Sequence, residues 1–181
     1  MAGIFDWMKV RPDPAATAAQ ELCDAVMAQA RAPALYQARL AEDTFEGRFG
    51  MMALHGGLLM RRLGAAGPEG REMAEKLGEA LFDRIDYALR EEGVGDASIA
   101  RKVRKLGEEF YGLARALDGV LGGEAATAAG IGQVLRRNGL GGAQPDALAR
   151  EVIARASRLD RCTDEELLCG RVGWGDERCN G

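Results

Sequence analysis

The feature that most restricts this chain is its apolar periodicity. Large apolar residues fall at Ile99, Val103, Leu106, Phe110, Leu113, Leu117 and Val120, with steps that alternate between four and three residues. A helix brings residues three and four apart onto one face, whereas a strand needs alternation at every second residue. The stripe therefore predicts a helix packed along its whole length. Met73, Leu77, Leu81, Ile85 and Leu89 recur at four-residue steps, and Leu22, Val26 and Ala30 share a face. Leu148, Val152, Ile153, Ala156 and Leu159 repeat the pattern near the C-terminus. Between them, Phe49, Met52, Gly56, Leu59 and Leu63 line one helix face, while Met51, Leu54, Leu58 and Met60 cover the other sides. A helix apolar nearly all round belongs at the centre of a bundle. No stretch of useful length alternates like a strand. The expected fold is all-α: a single compact bundle of about six to eight helices with a loose C-terminal tail.

Helix boundaries are marked by caps and prolines. Asp13 precedes Pro14, a cap followed by proline at the first helical position. A short helix with Leu35, Tyr36 and Leu40 follows Pro33. Asp43-x-x-Glu46 and Thr163-x-x-Glu166 have capping-box spacing, and Asp96 or Ser98 is the expected cap of the most regular helix. Asn138-Gly139 is a stop signal, and Pro145 opens a further helix. A chain of 181 residues is one domain of ordinary size. It divides into an amphipathic arm over 1–12 bearing Ile4, Phe5, Trp7 and Met8, a helical domain over 13–169, and an aperiodic tail over 170–181.

Composition leans away from catalysis. The chain has one histidine, His55, and two serines, Ser98 and Ser157. Di-iron bundle sites need a Glu-x-x-His pair on each of two helices, and zinc sites need closely spaced Cys and His ligands. One histidine, and cysteines at 23, 162, 169 and 179 with no C-x-x-C, do not supply either. No cofactor and no metal are expected. The glycine pairs at 122–123 and 141–142 follow no strand, so they are connectors and not phosphate-binding loops. The longest apolar run, Met51 to Met60, falls short of the ~20 residues of a membrane span. The N-terminus has neither a secretory pattern nor the composition of a transit peptide, and free thiols in a reducing cytoplasm are expected.

Two features suit binding. His55 lies mid-helix on an apolar face beside Gly56-Gly57, a small-residue notch among bulky neighbours. The notch fits either close helix packing or a groove floor for a client segment, with Met52 and Leu59 beside it. Arg101, Lys102, Arg104 and Lys105 place four positive charges in five residues, although the net charge is 24 − 28 = −4. Cations near a helix start oppose the macrodipole. The block fits a solvated face or an anionic partner such as a ribosome or an acidic membrane surface. DNA binding is not expected of an acidic chain.

The chain also resembles a known family. Arg31-x-Pro33-x-x-Tyr36, Asp43-Thr44-x-x-Gly47-Arg48-Phe49 and Leu54-His55-x-x-Leu58-x-x-Arg61-Arg62-Leu63 occur in order. Leu81-Phe82-Asp83, Leu89-Arg90-Glu91-x-Gly93-Val94-Gly95-Asp96, Lys102-Val103-x-Lys105 and Phe110-Tyr111-Gly112 follow. These motifs, strongest over 31–121, are similar to those of the ubiquinol–cytochrome c chaperones, in a compact bacterial form. The resemblance implies a non-enzymatic chaperone that binds newly made cytochrome b and promotes assembly of the bc complex. Members of the family act near the ribosome's exit region and, in mitochondria, work with a small partner protein, so a ribosome and a small partner protein are candidate partners. The location it implies is the cytoplasm, peripheral at the inner membrane. Met52, His55, Gly56, Leu59 and Tyr111 are then the candidate client or partner residues. Arg101, Lys102, Arg104 and Lys105 are the candidate anionic-partner residues. The alternatives are a ribosome- or membrane-docking adaptor without a cytochrome b role, and a haem-handling protein or an enzyme using His55.

Overall fold

The computed structural model describes residues 13–91, 95–123 and 127–174. The N-terminal arm, the Gly93-Val94 part of the family motif and Cys179 lie outside the described residues. Among the described residues eight helices follow one another: α1 (Pro14–Ala30), α2 (Pro33–Gln37), α3 (Phe45–Ala65), α4 (Gly67–Glu91), α5 (Asp96–Leu121), α6 (Ala128–Arg137), α7 (Pro145–Leu159) and α8 (Asp164–Leu168). The described residues contain no strand.

The apolar pattern decides the layout. Residues Gly50 to Leu59 of α3 are all buried, so this helix is wrapped on every side. It packs against α1, α4, α5 and α7. α1 runs alongside α4 in the same direction, tied by Asp13 to Lys76 at 3.4 Å and by the ion pair of Asp24 with Arg84. α6 and α7 pack on each other and join the same core, which extends from Ala18 to Trp174. Met73, Leu77, Leu81, Ile85 and Leu89 of α4 are buried, as their spacing predicts.

Ends follow local chemistry, with two corrections. The Asp13 carboxylate accepts from Ala15 N–H at 3.0 Å, and Thr163 with Glu166 forms a complete capping box. At α3, however, the cap is Thr44, whose hydroxyl accepts from Gly47 N–H at 3.1 Å. Asp43 is instead drawn to Arg48 Nε at 2.6 Å, so the capping frame lies one residue later than Asp43-x-x-Glu46 suggests. At α5 neither Asp96 nor Ser98 is the cap. The helix starts at Asp96 behind Gly95, and Ser98 N–H donates to Gly95 O at 2.8 Å inside the first turn.

Two further expectations change. Of the α5 stripe, Ile99, Phe110, Leu113 and Leu117 are buried, but Val103, Leu106 and Val120 are only half-buried. And the stretch read as a loose tail begins docked. Gly170 turns the chain with φ +80°, and a Cβ there would lie 2.9 Å from Ala18 Cα. The chain then lays Trp174 into the core at 6% exposure.

Candidate functional site

The His55 face is closed. Met52, His55, Gly56 and Leu59 are all buried, so the notch is not a groove floor. A Cβ on Gly56 would stand 3.0 Å from Phe110 Cε2 and Cζ and 3.1 Å from Leu81 Cδ1. A Cβ on Gly57 would meet Ala114 Cα and Cβ at 3.1 Å. Glycine at these positions lets α5 approach α3; the space a client segment would need is filled by Phe110 and Ala114.

His55 itself is held by its own helix and by Trp174. Its Nδ1 lies 2.6 Å from Met51 O, which makes Nδ1–H the donor and leaves Nε2 as an acceptor. Trp174 covers the ring edge-on, with centroids 5.4 Å apart. Neither His55 Nε2 nor Trp174 Nε1 has a hydrogen-bond partner among the described residues. Burial pushes the imidazole down to about 4, and the nearby Arg155 cation adds to this against the opposing pull of the Met51 carbonyl. A neutral, sealed imidazole is a core group.

Tyr111 is the one residue of that set at the surface, 45% exposed. It stacks on Phe82 at 6.0 Å and meets Phe110 edge-on at 5.1 Å, joining an exposed ring to the core.

The basic block is exposed at all four residues. Lys105 pairs loosely with Glu109 at 3.6 Å; Arg101, Lys102 and Arg104 make no ion pair with another described residue. Because α5 starts at Asp96, the block begins at its sixth residue. The dipole penalty fades beyond the first turn, so it is weaker than the sequence suggests. What remains is a ridge of like charges with little local compensation.

The structure adds a groove that no single stretch of sequence announces. Its volume is 780 Å³. Phe45, Phe49, Leu106, Leu113 and Leu140 supply its apolar surface. One wall is the start of α3. A second is α5, where Lys102, Leu106, Glu109 and Leu113 follow at steps of four, three and four, so the wall shares Leu106 and Leu113 with the apolar stripe and adds a charged residue beside each. The third is the α6–α7 loop, Gly139 to Gly142, whose glycines have φ of +68°, +99° and +47°. Leu140 Cδ2 lies 2.2 Å from where a Gly50 Cβ would stand, so the loop is seated directly on α3. Phe45, four residues before Phe49 and 40% exposed, is the local signal for this groove.

Residues 37–174 match a family profile described as Ubiquinol-cytochrome C chaperone. The fold is similar to that in the crystal structure of the Cbp3 homolog from Brucella abortus. The TM-score is 0.77 and the identity 26%, over 90% of this chain and 91% of that one. No curated protein sequence matches the chain.

Proposed function

This chain belongs to the ubiquinol–cytochrome C chaperone family, and from that premise we propose that it is a non-enzymatic chaperone that binds newly made cytochrome b for assembly of the bc complex. The observation that carries this reading is the family match over 37–174, which spans seven of the eight helices in whole or part. The Cbp3 homolog with the same fold supports it. A sealed His55 argues against the enzyme and haem alternatives: Nδ1 is engaged by Met51 O, and the remaining nitrogen, Nε2, belongs to a fully buried side chain that leaves no room for a substrate or a haem iron. No helix among the described residues is long and apolar enough to cross a membrane, so a membrane client would be met from the surface. The test is a deletion strain. Loss of assembled bc complex and of cytochrome b, restored by the full chain and by a His55→Leu variant, is the expected result. Normal levels of both would refute the reading.

A second element of the proposal rests on the exposed cations of α5. Arg101, Lys102, Arg104 and Lys105 dock the protein on an anionic surface, a ribosome or the cytoplasmic face of the inner membrane, close to where a membrane protein is made. Reversing all four charges should abolish cosedimentation with ribosomes or with anionic vesicles. The parent's binding should fall steeply with salt. An unchanged profile would leave the block as a solvated face. A small partner protein, as the family implies, would add a subunit to complexes isolated in this experiment.

A further inference from the structure

We propose that the client-binding site is the groove between α3, α5 and the α6–α7 loop, and that its occupant is an apolar peptide segment carrying charges of both signs. This rests on the chaperone reading and specifies where and what it binds. With Met52, His55, Gly56 and Leu59 buried, the centre of α3 has no surface to offer. The groove does: Phe45 and Leu106 remain partly exposed over it, and its volume of 780 Å³ admits several apolar side chains at once.

The charges on its walls choose the occupant. Glu42 and Glu46 stand on the α3 side, and Lys102 and Lys105 on the α5 side. Glu42, Glu46 and Lys102 are exposed and make no ion pair with another described residue. A segment with a cation toward the first wall and an anion toward the second is complementary to both. An anionic lipid would satisfy Lys102 and Lys105 but would meet the carboxylates of Glu42 and Glu46 across the same opening. On the third wall, Gly142 is exposed at the opening, while the Gly141 carbonyl is already taken by Gln144 N–H at 2.8 Å.

The test places a photo-crosslinking amino acid at Phe45, at Leu106 or, as a control on a different face, at Tyr87, which is 65% exposed. Cytochrome b is synthesised in the presence of each full-length protein. Crosslinks from positions 45 and 106 at least five-fold above position 87 are expected. Lys102→Glu with Lys105→Glu, and separately Glu42→Lys with Glu46→Lys, should each cut them several-fold; the glutamate pair lies outside the anionic-docking block, so its effect, with ribosome cosedimentation unchanged, reports the groove alone. All four side chains are exposed, so circular dichroism should report an intact fold in both variants. Cytochrome b crosslinks only from Tyr87 would overturn the groove and leave the chaperone reading standing. No crosslink anywhere, with normal bc complex in the deletion strain, would overturn both. Crosslinks indifferent to the charge reversals would overturn the two-signed occupant. Flotation with phosphatidylglycerol vesicles that is lost in Leu106→Gln, with cytochrome b crosslinks unaffected, would assign the groove to lipid. A dimer in sedimentation that the same substitution dissociates would assign it to a second copy.

Discussion

At the residue scale, two glycines in regular helix show opposite uses of the same side chain. Gly57 sits where α3 meets the backbone of α5, with Ala114 Cα 3.1 Å from a prospective Cβ; Gly119 has nothing within 4 Å. Replacing a helical glycine with alanine gains up to ~1 kcal/mol of backbone preference. Where the new methyl meets backbone that cannot swing aside, overpacking costs about 1–3 kcal/mol. Gly119→Ala should therefore stabilise the fold by up to about 1 kcal/mol, and Gly57→Ala should destabilise it by a similar amount or more. Denaturant midpoints at constant slope would show both signs, and a stabilising Gly57→Ala would contradict the close approach. His55 makes the second prediction. Its folded pKa of about 4 lies below its ordinary 6.5, so the unfolded chain binds a proton that the folded chain refuses. The stability this neutral imidazole represents is complete above pH 6.5 and is lost as pH falls toward 4. The full span is on the order of 3 kcal/mol, at about 1.4 kcal/mol per pH unit where the slope is greatest. His55→Leu should flatten that part of the stability curve between pH 6.5 and 4 relative to the parent.

At the scale of single elements, the chain advertises its helices more clearly than their ends. Proline marks the start of α1, α2 and α7, and the side-chain caps of Asp13 and Thr163 are visible as residue types, whereas the Thr127 cap of α6 emerges only in the structure. The α3 start is ambiguous in sequence because Asp43 and Thr44 are both good caps. Only the distance from Asp43 to Arg48 resolves it, since an aspartate engaged with a guanidinium is not free to cap. Thr44→Ala is accordingly expected to cost about 1 kcal/mol by thermal or chemical melting. Asp43→Ala, which removes an exposed pair, should cost less. Equal losses would return the cap to Asp43. The α5 start has no side-chain cap, so no residue type could have marked it. The half-burial of Leu106 was equally hidden. A stripe with steps of four and three reports which side chains share a face, while the depth of each depends on what lies opposite. Opposite Leu106 lies an open groove.

At the scale of the whole molecule, what the sequence withholds is the set of contacts between distant segments. The centrality of α3 could be read from its apolar surround, but not what seals its far side. Arg62 reaches Cys162 O and Asp164, both at 2.6 Å, and Arg155 reaches Gln29 at 2.6 Å, so α7 and α8 are clamped onto α1 and α3 by polar ties over a hundred residues of chain. Residues 171–174 have no periodicity to announce them, yet Trp174 is the lid on His55. Burial is the largest cause of the depressed imidazole pKa, and Trp174, near the end of the described residues, is one of the side chains that cover the ring. Trp174→Ala should therefore do two things at once. It should destabilise the fold by roughly 3–5 kcal/mol, as for other buried large aromatics. In the molecules that stay folded, it should also raise the His55 pKa from about 4 toward 6.5, because water then reaches Nε2. With one histidine in the chain, its imidazole resonance needs no assignment and can be followed directly by NMR titration. Trp174→Phe, which keeps most of the packing and removes the unpartnered N–H, should leave the pKa low and cost far less stability. A folded Trp174→Ala protein whose histidine still titrates near 4 would mean that α1, α3 and α7 close the site by themselves, and that residues 171–174 rest on the core without sealing it.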